Sequence, residues 1–149
     1  MLHGERFAHA TRTSLRPIPF VPSPEAVDDD YPFRLTTGRH LYQFNAGTMT
    51  QRSAVAALQS RDLLEMSPQD AETLGIGDGE TVAVESRYGR AELTARVHPR
   101  IRGGELFTSF HDPALFVNRL TSNVRDRMVH APEYKLTAVR VTKVRPTAA

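Results

Sequence analysis

The sequence predicts a mainly β protein, an antiparallel or mixed barrel of short strands with one or two small helices. Three observations carry this. Apolar residues alternate with polar ones in several segments of four to eight residues. Turn residues separate those segments, and only one stretch carries a full set of helix-boundary signals.

The first thirty residues are a lead-in of different character. "LRPIPFVPSPEAVDDDYP" sets prolines at 17, 19, 22 and 24 ahead of the acidic run Asp28 to Asp30. Proline at that density prevents helix and central strand, so residues 1–30 are expected as an extended linker or tail and 31–149 as the folded domain. In "YPFRL" the residues Tyr31, Phe33 and Leu35 share a face, and the strand is expected to break at Thr36-Thr37-Gly38. A helical turn is expected over Ser53–Leu58, and a strand over Asp62–Met66. "SPQDAETLG" then reads as a helix with Ser67 as N-cap, Pro68 first inside, Asp70 in the first turn and Gly75 at the end. "TVAVES" and "AELTARV" alternate as a pair of strands joined by a hairpin at Ser86–Arg90. "ELFTSF" and "LTAVRV" supply two more strands.

A chain of 149 residues is one domain's worth and can bury a core without staples. The formal net charge of +2, spread along the chain, points away from a nucleic-acid or polybasic membrane partner. No apolar run is long enough to span a bilayer and no signal-like segment follows Met1, so a cytoplasmic location is expected. There is no cysteine, which excludes disulfides, thiolate nucleophiles and iron–sulfur ligation by this sequence.

Several motifs have structural readings. "GIGDGE" resembles a phosphate loop, but such a loop follows a strand and opens a helix, whereas here the helix comes first. Gly75 is therefore a helix cap and Gly77-Asp78-Gly79 a tight turn. The six histidines show no metal-ligand spacing, so no metal site is nominated. Ser109, His111 and Asp112, as neighbours on one strand end, cannot converge as a catalytic relay. No catalytic residue is nominated.

Donors instead concentrate in "TTGRHLYQFNAGTMTQRS", Thr36–Ser53, which has two arginines and no carboxylate. Amides, hydroxyls and Arg39 suit anionic oxygens, while His40, Gln43 and Asn45 suit the edges of a heteroaromatic ring. On residue chemistry alone, a binding loop and a solvated loop over the barrel fit equally. "TSFHDPALFVNRLTS" and "APEYKLTAV" have the same flavour, and a closed barrel brings such strand ends together.

Taken in order, "YPFRLTTGR", "GTMTQRS", "EMSPQDAETLGIGDGETVAVESRYG", "GGELFTSFH", "NRLT" and "PEYKLTAVRV" resemble the C-terminal domain of molybdopterin-dependent oxidoreductases. Among these they are most similar to formate dehydrogenase catalytic subunits. The set runs from about Tyr31 to Val144. The resemblance implies a double-psi β-barrel that grips molybdopterin guanine dinucleotide. It implies cofactor contacts at Thr37, Gly38, Arg39, His40, Gln43 and Asn45, at Phe110, His111 and Asn118, and at Tyr134 and Lys135. The family often carries His at the position of Gln43. The ligand to molybdenum or tungsten and the iron–sulfur cysteines belong to other domains of the family, so upstream domains or a catalytic subunit are the implied partners. The implied whole-enzyme reaction is oxidation of formate to CO2. A nitrate or other oxyanion reductase would share these loops, and a free-standing barrel that binds another partner is the reading from a different class.

Overall fold

Alternation decides which way each strand faces, and a one-residue slip would turn every core residue to solvent. The computed structural model describes residues 15–144. Six strands there close into a barrel: β1 (Phe33–Thr37), β2 (Leu63–Met66), β3 (Thr81–Ser86), β4 (Arg90–Val97), β5 (Glu105–Thr108) and β6 (Thr137–Lys143). Around the ring the order is β1-β5-β2-β4-β3-β6, with β6 pairing back to β1. Two pairs, β1/β5 and β2/β4, are parallel and the other four are antiparallel. The barrel is therefore mixed.

The interior follows the pattern read from sequence. Leu35, Leu64, Met66, Val82, Val84, Leu93, Leu106, Val139 and Val141 fill it. In β4, Ala91, Leu93 and Ala95 turn inward while Glu92 and Arg96 face out. Closure leaves no edge strand open to pairing with another chain.

The one α-helix among the described residues, α1 (Pro68–Leu74), is bounded as its sequence demands. Ser67 Oγ accepts the Asp70 amide at 3.0 Å and donates to Asp70 Oδ2 at 2.8 Å. Gly75 adopts φ +65°, and the Ile76 amide reaches back to Ala71 O at 2.8 Å, which closes the helix with the left-handed turn that favours glycine. Gly77–Glu80 is a tight turn, with the Glu80 amide on Gly77 O at 3.2 Å. Short 3-10 turns cover Thr50–Arg52, Ala54–Leu58 and Val117–Leu120.

Two expectations need correction. β1 does not stop at Leu35: Thr36 and Thr37 pair with Phe107 and Thr108, and the Gly38 amide donates to Thr108 O at 2.9 Å. Threonine is β-branched and fits a pleated strand, so its polarity misled the reading. The strand at "DLLEM" begins at Leu63, which leaves Asp62 just ahead of it.

Residues 1–14 of the lead-in lie outside the described residues. Leu15, Ile18 and Phe20 are almost fully exposed, but the chain then docks on the barrel. The buried carboxylate of Glu25 accepts hydrogen bonds from the Tyr88 hydroxyl and from the Ala138 amide at 3.2 Å. Arg87 adds an ion pair to Asp28 and stands 4.8 Å above the Tyr31 ring. No helix among the described residues is long and apolar enough to cross a membrane.

Candidate functional site

Strand directions put every sequence-nominated residue at one end of the barrel. Because β5 is parallel and β6 antiparallel to β1, while β2 is antiparallel to β5 and parallel to β4, the connections 38–62, 87–89 and 109–136 all emerge together. These connections hold eight Arg or Lys against four Asp or Glu. The opposite connections, 67–80 and 98–104, hold two against four. The connections of the first end are thus net cationic, while the docked lead-in brings Glu25 and Asp28 to its hairpin side at Tyr88 and Arg87.

The end of β1 is tied to the segment before β6. Thr37 is buried; its hydroxyl donates to Tyr134 O at 2.6 Å, and Lys135 Nζ donates to Thr37 O at 3.0 Å. Lys135 also lies 5.2 Å from the Tyr134 ring centroid, and Phe110 meets that ring edge-on at 6.2 Å. Five of the nominated residues, Thr37, Gly38, Phe110, Tyr134 and Lys135, are therefore neighbours around one strand end. Gly38 packs closely there: a Cβ would stand 2.4 Å from Phe107 Cε2, so the ring would have to move to admit one.

The first long connection sorts the remaining candidates. Arg39 is exposed with its guanidinium 5.4 Å from the Phe44 ring centroid. Half-buried His40 meets Phe107 and His111 edge-on, at 5.9 and 6.3 Å. Burial holds its imidazole below the ordinary pKa, partly opposed by Glu65. Asn45 is exposed in a left-handed conformation, φ 51°. Gln43 is buried, and both ends of its amide are engaged within the loop: Nε2 donates to Gln59 O at 2.8 Å and Oε1 accepts Thr50 Oγ1 at 2.5 Å. It shapes the connection from inside.

Asp62 is the residue that sequence reasoning missed. Its side chain is wholly buried and gathers the turn after β5. Oδ1 accepts Ser109 Oγ and the His111 amide at 3.1 Å, and Oδ2 accepts the Asp112 amide at 2.9 Å. Ser109 and His111 do converge on a carboxylate, but it is Asp62, some fifty residues away, and not the neighbouring Asp112. His111 is 1% exposed with Nδ1 2.7 Å from Asp62 Oδ1, yet its N–H is not aimed along that line and counts as no hydrogen bond. Nε2 has no partner at all among the described residues. A buried polar atom left so costs about 1–3 kcal/mol. His111 and Asn118 line one cavity of about 200 Å3 with Phe110, Phe116 and Thr48. Phe116 is held at φ 45°, an uncommon conformation for a bulky side chain, of the kind that gathers at binding sites.

A donor-rich mouth on a closed mixed barrel is one side of the question; relatives give the other. Residues 33–138 match the model of the molydopterin dinucleotide binding domain. The chain belongs to this family. It is 34% identical over 146 residues to the F420-dependent formate dehydrogenase 2 subunit alpha of Methanococcus maripaludis, covering 97% of this chain and 22% of that protein. The F420-dependent formate dehydrogenase 1 subunit alpha of the same organism is 37% identical over 121 residues, 80% of this chain and 18% of that one. The F420-dependent formate dehydrogenase subunit alpha of Methanocaldococcus jannaschii is 34% identical over 146 residues, again 97% and 22%. The chain thus spans about a fifth of the length of the curated relatives it matches. Among solved structures, acetylene hydratase from Pelobacter acetylenicus superposes with a TM-score of 0.65 at 18% identity, covering 76% of this chain and 18% of that one. That likeness speaks for the fold alone. As a molydopterin dinucleotide binding domain of formate dehydrogenase alpha-like proteins, the chain presents residues that suit such a cofactor: cations at the rim and aromatic rings at the strand ends.

Proposed function

We propose that the cationic barrel end binds molybdopterin guanine dinucleotide, and that the domain is the cofactor-holding part of a molybdenum or tungsten oxidoreductase that oxidises formate to CO2. We also read the barrel as double-psi, on the strength of its two parallel pairs, β1/β5 and β2/β4. The observation that carries the binding claim is the convergence of Thr37, Gly38, Phe110, Tyr134 and Lys135 around the end of β1. The names of the alpha-subunit relatives support formate as substrate. Fold does not choose the reaction, since the structural neighbour is by name a hydratase.

In this reading Arg39 and Lys135 offset the negative charge of the diphosphate, and Arg39 also offers a planar fork of donors. Phe110 and Tyr134 provide a face for a ring, and His111 and Asn118 meet its polar edge. When bound, the cofactor and its metal supply the two-electron chemistry. The chain orients and neutralises, and no residue in it serves as general acid, base or nucleophile. Other domains, for which the longer relatives have room, complete the clamp and contribute the metal ligand.

Titration of the 149-residue chain with molybdopterin guanine dinucleotide released from a donor enzyme tests this. Weak but saturable binding is expected, because half a clamp leaves much of the ligand solvated. Arg39→Ala and Lys135→Ala should each weaken it about ten- to a hundredfold, in line with the loss of a charge-assisted hydrogen bond. Unchanged affinity in both variants would overturn the assignment.

A further inference from the structure

One buried carboxylate clasps two segments of the chain. Both oxygens of Glu25 accept: Oε1 takes the Tyr88 hydroxyl and Oε2 the Ala138 amide at 3.2 Å. The β3/β6 ladder ends at the Ser86–Val139 pair, and Ala138 lies one residue beyond it. Glu25 thus supplies an acceptor to a strand amide where β3 has already turned into its hairpin. The hydrogen bond to Glu25, and then burial, raise the Tyr88 hydroxyl pKa and keep it a donor. The chain around Glu25 is fixed as well. Ser23 Oγ accepts the Glu25 amide at 3.1 Å, Arg87 Nη2 donates to Ala26 O at 3.3 Å, and Asp28 Oδ1 accepts the Tyr31 amide at 2.8 Å.

The two clasped segments border one open cleft of about 800 Å3, a volume in the range of small-molecule sites. Val21, Pro22 and Pro24 of the lead-in line it, together with Arg125, Arg127 and Lys135 of the 109–136 connection. Those three cations meet two carboxylates there, so the space suits an anionic ligand. Pro24 is bonded directly to Glu25, and Lys135 stands three residues ahead of Ala138. The spacing between the lead-in and Lys135 is therefore set where Glu25 meets β6. Lys135 is also the residue by which this cleft joins the group around the end of β1, through its hydrogen bond to Thr37 O.

We infer that Glu25 is a positioning residue for ligand binding: it sets Lys135 opposite residues 21–24 of the lead-in, and the ligand is held between them. This rests on the reading of the domain as a binder of molybdopterin guanine dinucleotide, and it adds the lead-in to the binding site.

The dinucleotide released from a donor enzyme, added to the isotope-labelled chain, should shift the Val21 methyl resonances together with those of Lys135. Binding that leaves either residue unmoved overturns the inference and lets the proposed function stand, whereas no shift anywhere defeats both. Titration of variants then addresses Glu25 itself. Glu25→Ala should weaken binding about tenfold, the effect of losing one buried anchor. Glu25→Gln keeps an acceptor for the Ala138 amide and can donate to the Tyr88 oxygen, so its affinity should stay within about twofold of wild type. If Glu25 acts through Lys135, the two losses are not additive. In a Lys135→Ala background Glu25→Ala should cost less than about threefold, and in an Arg39→Ala background about tenfold again. Equal losses in the two backgrounds, or wild-type affinity in Glu25→Ala, overturn the inference. Should Glu25→Ala fail to fold, the wild-type shifts at Val21 and Lys135 still decide.

Discussion

The two ends of the barrel are built on opposite principles. At the α1 end the turns are tied by side chains: Ser67 caps the helix, Asp70 also accepts the Gly104 amide at 2.9 Å, and Asp78 accepts the Val97 amide at 2.8 Å. Ala71 and Ile76 plug the core beneath. At the mouth, long connections carry unengaged cations, exposed aromatic rings and a buried nitrogen with no partner. The difference teaches that one end is closed by short turns with their own side-chain anchors, while the other is built of long connections that leave rings and cations exposed.

The sharpest way to break this contrast is at the mouth's own anchor. Asp62→Ala leaves a hydroxyl and two amides buried without an acceptor, and should destabilise the chain by about 3–5 kcal/mol in urea denaturation. A cost under about 1 kcal/mol would mean that the mouth is held by something else. Next comes charge. Raising salt to about 1 M shortens the screening length to about 3 Å, so affinity for the dinucleotide should drop severalfold while the urea midpoint is set chiefly by the core and changes less. At the closed end, Ser67→Ala removes the helix cap and should cost about 1 kcal/mol of stability with no change in ligand affinity. An affinity change there would show that the two ends are coupled.

The smallest effect is a pH dependence. His40 is held below its ordinary value of 6.5, chiefly by burial, so the folded state binds its proton less readily than the unfolded chain. Its contribution to stability is present above that ordinary value and is lost as pH falls through the lower folded value. His40→Gln should flatten the stability profile in that acidic window, and an unaltered slope would count against the burial argument.

What could be read from sequence depended on how far apart the partners lie. α1 was legible because Ser67, Pro68 and Gly75 fall within nine residues and each acts locally. The strands were legible from alternation, and the hairpin from Gly89. Their order around the ring was not, because the parallel pairing of β1 with β5 joins residues some seventy positions apart. Asp62 was invisible for the same reason: its three donors are 47, 49 and 50 residues away. Gln43 has the composition of a ligand contact, and only the loop's own fold shows its amide engaged by Gln59 and Thr50. Thr37, Gly38, Tyr134 and Lys135 were legible together through family resemblance. Residue chemistry alone left the loop undecided.

The docking of Glu25 bears on how the barrel would respond to load. Its carboxylate holds the Ala138 amide, one residue along β6 from Thr137 and three from Lys135, and also the hairpin tip at Tyr88. Tension on the chain ahead of residue 25 would therefore reach β6 and the hairpin before it reached β1. The lead-in acts as a tether whose attachment point is the strand that carries the last loop of the mouth. A tug from a neighbouring domain would be felt there first, with the α1 end left out of the line of force.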